Sequence, residues 1–302
     1  MNELRLPLGD WAETTVDVVT DLLGGFFDVL RTIFLAAYDA VDWILSTPPS
    51  WVVIVAIAAL AWWLRGWKLA LGSAIGLAVI VGIDQWENAM DTLALVLVAS
   101  AIAVVVAVPL GILAARSDLA SRIIRPILDF MQTMPAFVYL IPALILFRVG
   151  VVPGIVATIV FAMAPGVRLT ELGIRGVDRE VVEAGHAFGS SPWRILRQIQ
   201  LPLAMPSIMA GVNQVIMLSL SMVVIAGMVG AGGLGGDVVA SLNRIDIALG
   251  FEAGLSVVIL AVILDRITGA FAGGLRRRPK RESREQTTDT SADAPARATA
   301  NV

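Results

Sequence analysis

The sequence predicts an all-α, polytopic membrane protein, with about seven membrane-crossing helices behind an N-terminal amphipathic helix. Three observations carry this. Of 302 residues, 57% are hydrophobic and only 16% are charged, against roughly 25% charged in a soluble domain. Long uncharged runs recur along the chain, where a single anchor would show one. Lys and Arg gather in alternate loops, the pattern that sets orientation in a bilayer.

Residues 1–50 form the amphipathic segment. Glu3, Asp10, Glu13, Asp17, Asp21, Asp28, Asp39 and Asp42 are interleaved with Val19, Leu22, Phe26, Leu30, Ile33, Phe34, Ala37, Val41 and Ile44. Three-and-four spacing of this kind gives one apolar face, suited to lying in the interface or along the bundle. Gly24-Gly25 is a place to kink, and Pro48-Pro49 is a stop. With no basic stretch leading directly into an apolar one, no cleaved signal peptide is expected.

Residues 51–91 hold the first two spans, 51–64 and 69–83, separated by Arg65-Gly66-Trp67-Lys68. Each falls short of the roughly 20 residues that cross a bilayer squarely. Trp51, Trp62, Trp63, Trp67 and Trp86 sit near their ends, as interfacial aromatics do. An acidic loop, 84–91, follows.

Residues 92–274 are the core. Residues 93–115 are the clearest span, and 116–125 are a basic loop. Spans 130–147, with Pro135 and Pro142, and 149–167, with Pro153 and Pro165, come next. Prolines inside spans free backbone carbonyls, which suits helices lining a water-filled path; simple kinks are the equal alternative. Residues 168–202 are a polar, Arg-bearing loop. Residues 203–236 carry no charge and read as a helix ending in a Gly-rich loop. A mixed polar loop, 237–252, precedes a last span from Ala253 to about Phe271. The tail, 275–302, opens with Arg276-Arg277-Arg278 and Lys280-Arg281 and continues in Ser, Thr, Ala and Asp. Such a composition is expected to be disordered. Its basic run suits a positive-inside anchor or a contact with anionic lipid.

The loops bearing Arg65/Lys68, Arg116/Arg122/Arg125, the polar island and the tail alternate with the Asp84 loop, the Arg148 turn and the Asp237 loop. Seven spans fit this alternation, with the N-terminus outside and the C-terminus in the cytoplasm.

Within the island, 180–187 has good helix formers and Gly189 follows at a position where only Gly or Asn is cheap. Ser190 or Ser191 can cap a second helix with Pro192 near its start. Trp193, Ile195, Leu196 and Ile199 fall on one side of it, and Arg194, Arg197 and Gln198 on the other. Leu201-Pro202 is expected to end it. A rigid helix–turn–helix at the membrane surface can act as a lever on the spans beside it; an ordinary structural loop is the alternative at this level.

Glu183-Ala184-Gly185, then Gly189, nine residues, and Ile199-x-Leu201-Pro202 resemble the "EAA" signature of permease subunits of binding-protein-dependent ABC importers. Gly185 stands where a second Ala is usual. The resemblance implies the type I importer permease fold. It also implies that Glu183, Ala184, Gly185, Gly189, Ile199, Leu201 and Pro202 form the coupling element docked on an ATPase subunit. Glu183 and the Gly189 turn would make that contact, with Ala184 and Gly185 permitting close approach. The 131–142 stretch, Met-Gln-Thr-Met-Pro-Ala-Phe-Val-Tyr-Leu-Ile-Pro, and 219–235 resemble the quaternary-amine branch, whose members carry glycine betaine, proline betaine, carnitine and choline. The similarity covers about residues 92–272. It implies a homodimeric pore, an ATP-binding ABC subunit and an external substrate-binding protein as partners. A permease for another small solute, such as an amino acid, is the near alternative.

No enzyme is expected here. Acidic residues are scattered singly, and a membrane-embedded transferase needs them clustered to hold a metal. Nor is a nucleic-acid partner expected, because net charge is −3 and no basic face appears. With no cysteines, thiolate metal sites and cysteine nucleophiles are excluded, and no metal site is expected. Gly230-x-Gly232-x-x-Gly235 matches a dinucleotide pattern but follows a membrane helix, and no loop carries the Lys-Ser/Thr of a nucleotide site. The chain is therefore expected to hold no cofactor of its own, with ATP bound by a partner. The lone His186 lies in the docking element and reads as a surface residue. Asp129 and Asp265 read as capping or snorkelling residues near span ends. Thr133, Pro135, Phe137, Tyr139, Asn213 and Ser221 are candidates for the substrate path. For the aromatics the basis is attraction of a cation to a ring face, with core packing the alternative. For Asn213, Gln214, Ser219 and Ser221 interhelical packing is the favoured reading.

Overall fold

The computed structural model describes residues 8–274, and every regular element among them is helical. The tail at 275–302, with its basic run, lies outside the described residues. Helix α1 (Leu8–Ser46) runs unbroken through Gly24-Gly25 and stops before Pro48-Pro49. Helices α2 (Ser50–Arg65) and α3 (Trp67–Gly82) form a hairpin through Gly66, whose φ of 90° meets the tight reversal. Then come α4 (Trp86–Arg116), α5 (Asp118–Thr133), α6 (Ala136–Phe147) and α7 (Val151–Arg175). Two short helices, α8 (Arg179–Ala187) and α9 (Pro192–Ile195), lead through a π-helical turn (Leu196–Gln200) into α10 (Leu201–Ser221). The described residues close with α11 (Val223–Gly227), α12 (Gly233–Arg244) and α13 (Ile247–Gly274).

Among the described residues, four stretches are long and apolar enough to cross a membrane: 86–116, 151–175, 192–227 and 247–270. The number rises to six if two sharply bent pairs each count as one span. The expected spans 51–64 and 69–83 are α2 and α3, each of 16 residues. At 1.5 Å per residue each is about 24 Å long, short of a hydrocarbon core of about 30 Å.

Several expected boundaries are corrected. Residues 130–147 are not one continuous helix: α5 and α6 meet at 99° across Met134-Pro135. Pro135 cannot donate to Met131, and the residue before a proline is pushed out of helical geometry; Met134 has ψ 136°. The basic loop 116–125 is mostly α5, started by Ser117, whose Oγ accepts from the Ala120 N–H at 3.2 Å. The acidic loop 84–91 is helical from Trp86, so a boundary at residue 92 falls inside α4. The polar loop 237–252 is mostly helix as well, because α12 runs to Arg244 and α13 starts at Ile247.

The core is the seam between α4 and α7, with α10 against α7. Small residues make it close: a Cβ added at Gly111 would lie 2.5 Å from Thr170 Cβ, and one at Gly166 would lie 3.0 Å from Ala107 Cβ. Without a hydrophobic drive between helices in lipid, such close backbone approach is what holds spans together. These pairings, 107 with 166 and 111 with 170, make α4 and α7 parallel. Both therefore end at the same face, the one from which α8 and α9 project.

Candidate functional site

The polar island divides in two. Its first eight residues, 168–175, continue α7, and the remainder is the helix–turn–helix that the sequence suggests. Asp178 starts α8 by accepting from the Glu180 N–H at 3.0 Å. Its end is a Schellman closure: Gly189 N–H donates to His186 O at 2.9 Å and Ser190 N–H to Gly185 O at 3.1 Å. Gly189 takes φ 74°, with open space where a Cβ would be. Ser191 then caps α9, accepting from the Arg194 N–H at 3.4 Å, with Pro192 in the first turn.

The two arms pack on each other through Gly185. A Cβ there would meet Ile199 Cδ1 at 2.9 Å and Ile195 Cγ1 at 3.3 Å. Gly185 is buried, so the close approach it allows is inside the element, not across an outer interface. Glu183, Ala184 and Gly189 are exposed, and Phe188 is 89% exposed at the tip. Sequence reasoning passed over Phe188, although an apolar residue beside the turn glycine was visible. Ile195 and Leu196 root the element in the bundle, where Leu196 joins Ile174, Ala204 and Ile208. Trp193 does not share that side: it is 59% exposed, with the Arg116 guanidinium 5.9 Å from its ring centroid. Leu201-Pro202 does not end the helix. The π turn lets Leu201 N–H bond Leu196 O, five residues back, and the chain passes through Pro202 into α10. The second arm is thus continuous with a spanning helix. A cavity of about 570 Å³ lies between the element and the ends of α4 and α7, lined in part by Arg116, Arg175, Arg179, Glu183, His186 and Gln200. Exposed His186 fits its reading as a surface residue.

Beside the cavity lies an ion cluster that the sequence reading missed. Glu171, 3% exposed, accepts from Ser121 Oγ at 2.7 Å and from Arg125 at 2.9 and 3.2 Å, and pairs ionically with Arg175, Nε lying 3.1 Å from its Oε1. Arg175 also reaches Asp118 at 2.8 Å and the Ala114 carbonyl at 2.8 Å. Arg168 pairs with Asp129. Together these bonds tie α4, α5 and α7 into one block under the helix–turn–helix. The only local sign was the four-residue spacing of Glu171 and Arg175.

The path candidates separate. Thr133, Pro135, Phe137 and Tyr139 meet at the α5–α6 corner, where Thr133, Pro135 and Phe137 are exposed. Tyr139 is occupied: its hydroxyl donates to the Met131 carbonyl, the one that Pro135 leaves without an N–H. It packs beside Leu140, Ala157, Met222 and Val229, so it pins the corner. Asn213 joins α10 to α13, donating to Asp265 at 3.2 Å and accepting from Thr268. Asp265 is therefore an interhelical partner, neither cap nor snorkel. Ser219 and Ser221 bond back to Val215 and Met217 carbonyls at 2.9 and 3.0 Å; Ser219 is buried and Ser221 exposed.

Comparison with known proteins completes the picture. Residues 107–278 match the family model described as the binding-protein-dependent transport system inner membrane component. The chain is 48% identical over 270 residues to a glycine betaine/carnitine transport permease protein of Listeria monocytogenes, covering 88% of this chain and 95% of that one. It is 47% identical to a glycine betaine transport system permease protein of Bacillus subtilis, covering 87% and 94%. With a trimethylamine N-oxide transport system permease protein of Ruegeria pomeroyi it shares 37% identity over 88% of this chain and 42% of that one. Among solved structures, an inward-facing methionine ABC transporter has the same fold, with TM-score 0.58 and 21% identity over 62% of this chain and 94% of that one.

Proposed function

Because this chain belongs to the binding-protein-dependent transport system inner membrane component family, we propose that it is the permease subunit of an ATP-driven importer of quaternary amine osmolytes, with glycine betaine foremost. The observation that carries the substrate class is the near full-length identity of 48% to a glycine betaine/carnitine permease. The compounds in the relatives' names share an N-methylated, positively charged nitrogen, trimethylamine N-oxide among them. That chemistry favours the methylated amines over an amino acid.

The working unit is a pair of these chains forming one pore, with two ATP-binding subunits beneath it and an external binding protein delivering the solute. ATP is bound by the partner subunits. The helix–turn–helix faces the cytoplasm, in keeping with Arg116, Arg175, Arg179, Arg194 and Arg197 around it. The N-terminus is outside and the C-terminus inside.

In this reading Glu183, Ala184, Phe188 and Gly189 touch the ATPase. Phe188 is the apolar anchor, since an exposed aromatic on a rigid turn buries much area at low entropic cost. When the ATPases close, they press on α8. The push enters α10 through the unbroken π turn and the α4–α5–α7 block through Ile195, Leu196 and the cavity wall. Two sites and a stiff carrier between them are what allosteric coupling requires. Thr133, Pro135 and Phe137 border the solute path at the α5–α6 corner, and binding there is weak because capture is left to the external protein.

The test is uptake of radiolabelled glycine betaine and choline by vesicles holding the chain, its ATPase and its binding protein. ATP-dependent accumulation of a quaternary amine is expected. Accumulation of an amino acid instead, with no quaternary amine taken up, would overturn the substrate reading.

A further inference from the structure

At the opposite end of the bundle from the helix–turn–helix, α11 and α12 form a tight helical hairpin. Its two arms touch backbone to backbone: a Cβ at Gly227 would lie 2.3 Å from the Gly235 carbonyl carbon, and one at Gly235 would lie 2.1 Å from Val223 O. The hairpin is therefore a rigid body. Its place is set by α10, whose 21 residues carry the chain about 31 Å away from the coupling element.

Three side chains at the start of α4, Gln85 just before it and Asn88 and Thr92 on its first turns, hold it. Thr92 Oγ1 accepts from the Leu234 N–H at 2.9 Å, satisfying one of the free donors at the start of α12. Gln85 Nε2 and Asn88 Nδ2 both donate to Asp237 Oδ2, at 3.0 and 2.7 Å. Gly233 sits with φ 62° against Thr92, and a Cβ there would come 2.6 Å from the hydroxyl oxygen. Thr92 and Leu234 are almost wholly buried, and Gln85 is 5% exposed. On its other side the hairpin rests on the start of α7, where Gly150 N–H donates to Val229 O at 3.1 Å.

Contacts this specific, buried at Gln85, Thr92 and Leu234 and half-buried at Asn88 and Asp237, make a joint that stays closed. The helices they join to are the same α4 and α7 that the Glu171 cluster locks together at the lever end. We propose that Gln85, Asn88 and Thr92, through Asp237 and the Leu234 N–H, are positioning residues that make the α11–α12 hairpin ride on α4. A push on the coupling element thereby moves the outer mouth of the pore. This rests on the importer reading; what is new is a permanent strut at the mouth, as opposed to a latch that opens each cycle.

The strut and the latch differ in outcome. The chain has no native cysteine, so Asn88→Cys with Asp237→Cys can be bridged by a short reducible bis-thiosulfonate. Bridged transporter, reconstituted with its ATPase and binding protein, is expected to take up glycine betaine no more slowly than the unbridged double variant, because the bridge restores the tie that the Asn88–Asp237 hydrogen bond gave. Loss of uptake restored by reductant would overturn the strut, as would failure of the thiols to bridge in the resting state. In the second arm, Asn88→Ala with Asp237→Ala is expected to keep ATP hydrolysis stimulated by the loaded binding protein. Solute moved per ATP should fall about tenfold, the scale on which losing a charge-assisted hydrogen bond shifts an equilibrium. An unchanged ratio would also overturn the proposal. The unaltered transporter runs beside both arms: if it takes up no quaternary amine, the importer reading fails, whatever the variants do.

Discussion

Replacing Gly189 isolates backbone geometry from packing. Its φ is 74°, and nothing lies within 4 Å of where a Cβ would point. A side chain there meets no clash, and the whole cost is that of holding an L-residue in the left-handed region. For Ala that is about 1 kcal/mol, and for a β-branched Val about 2 kcal/mol, while Asn tolerates the region well. Penalties of one to two kcal/mol change a conformational ratio by roughly 5- to 30-fold. The conformer that loses population is the Schellman turn that presents Phe188. Uptake at limiting ATPase should therefore fall in the order Gly, Asn, Ala, Val, with Ala about fivefold and Val about thirtyfold below Gly. The assay is the affinity of detergent-solubilised permease for its ATPase, followed by solute uptake in vesicles. Global stability should drop by no more than the local penalty, because the turn is exposed. Equal activity for Val and Asn would refute the reasoning, since it would mean that the turn geometry is not what the partner reads.

Further outcomes follow from the other contacts. Phe188→Ala should weaken ATPase docking about tenfold, the cost of truncating an interface anchor, with expression and folding unchanged; binding measured by surface capture checks this. Glu171→Ala should destabilise the fold by about 3 kcal/mol, the low end for breaking a buried pair, because the Arg125 side chain is 58% exposed and regains water; thermal unfolding in detergent checks it. Tyr139→Phe leaves the Met131 carbonyl without its donor and should cost about 1 kcal/mol. Reduced uptake with unchanged ATPase affinity would accompany it.

The coupling element was legible because its signals are local. Gly189, Ser191 and Pro192 act within one or two turns of their own helix, and the structure uses each of them there. Glu171 was not legible, because Ser121 and Arg125 lie 50 and 46 residues away. Nothing in a run of apolar helix states which carboxylate will be buried against which guanidinium. The α12 helix hid behind its own glycines, which locally favour a loop. A hydroxyl on α4, 142 residues earlier, helps fix where it starts. Pro135 was seen, but its effect was read as a bend where the geometry is a corner, held by Tyr139.

The most direct test of the central claim sets hydrolysis against uptake in the same vesicles, for the unaltered chain and for Glu183→Arg. Glu183 is exposed on α8, so its reversal should leave membrane insertion and the bundle intact. The expected result is ATP hydrolysis without accumulation of glycine betaine in the variant, beside coupled accumulation in the unaltered complex. Full uptake by Glu183→Arg, at an unchanged number of solutes per ATP, would contradict the role of 183–202 as the link between motor and pore.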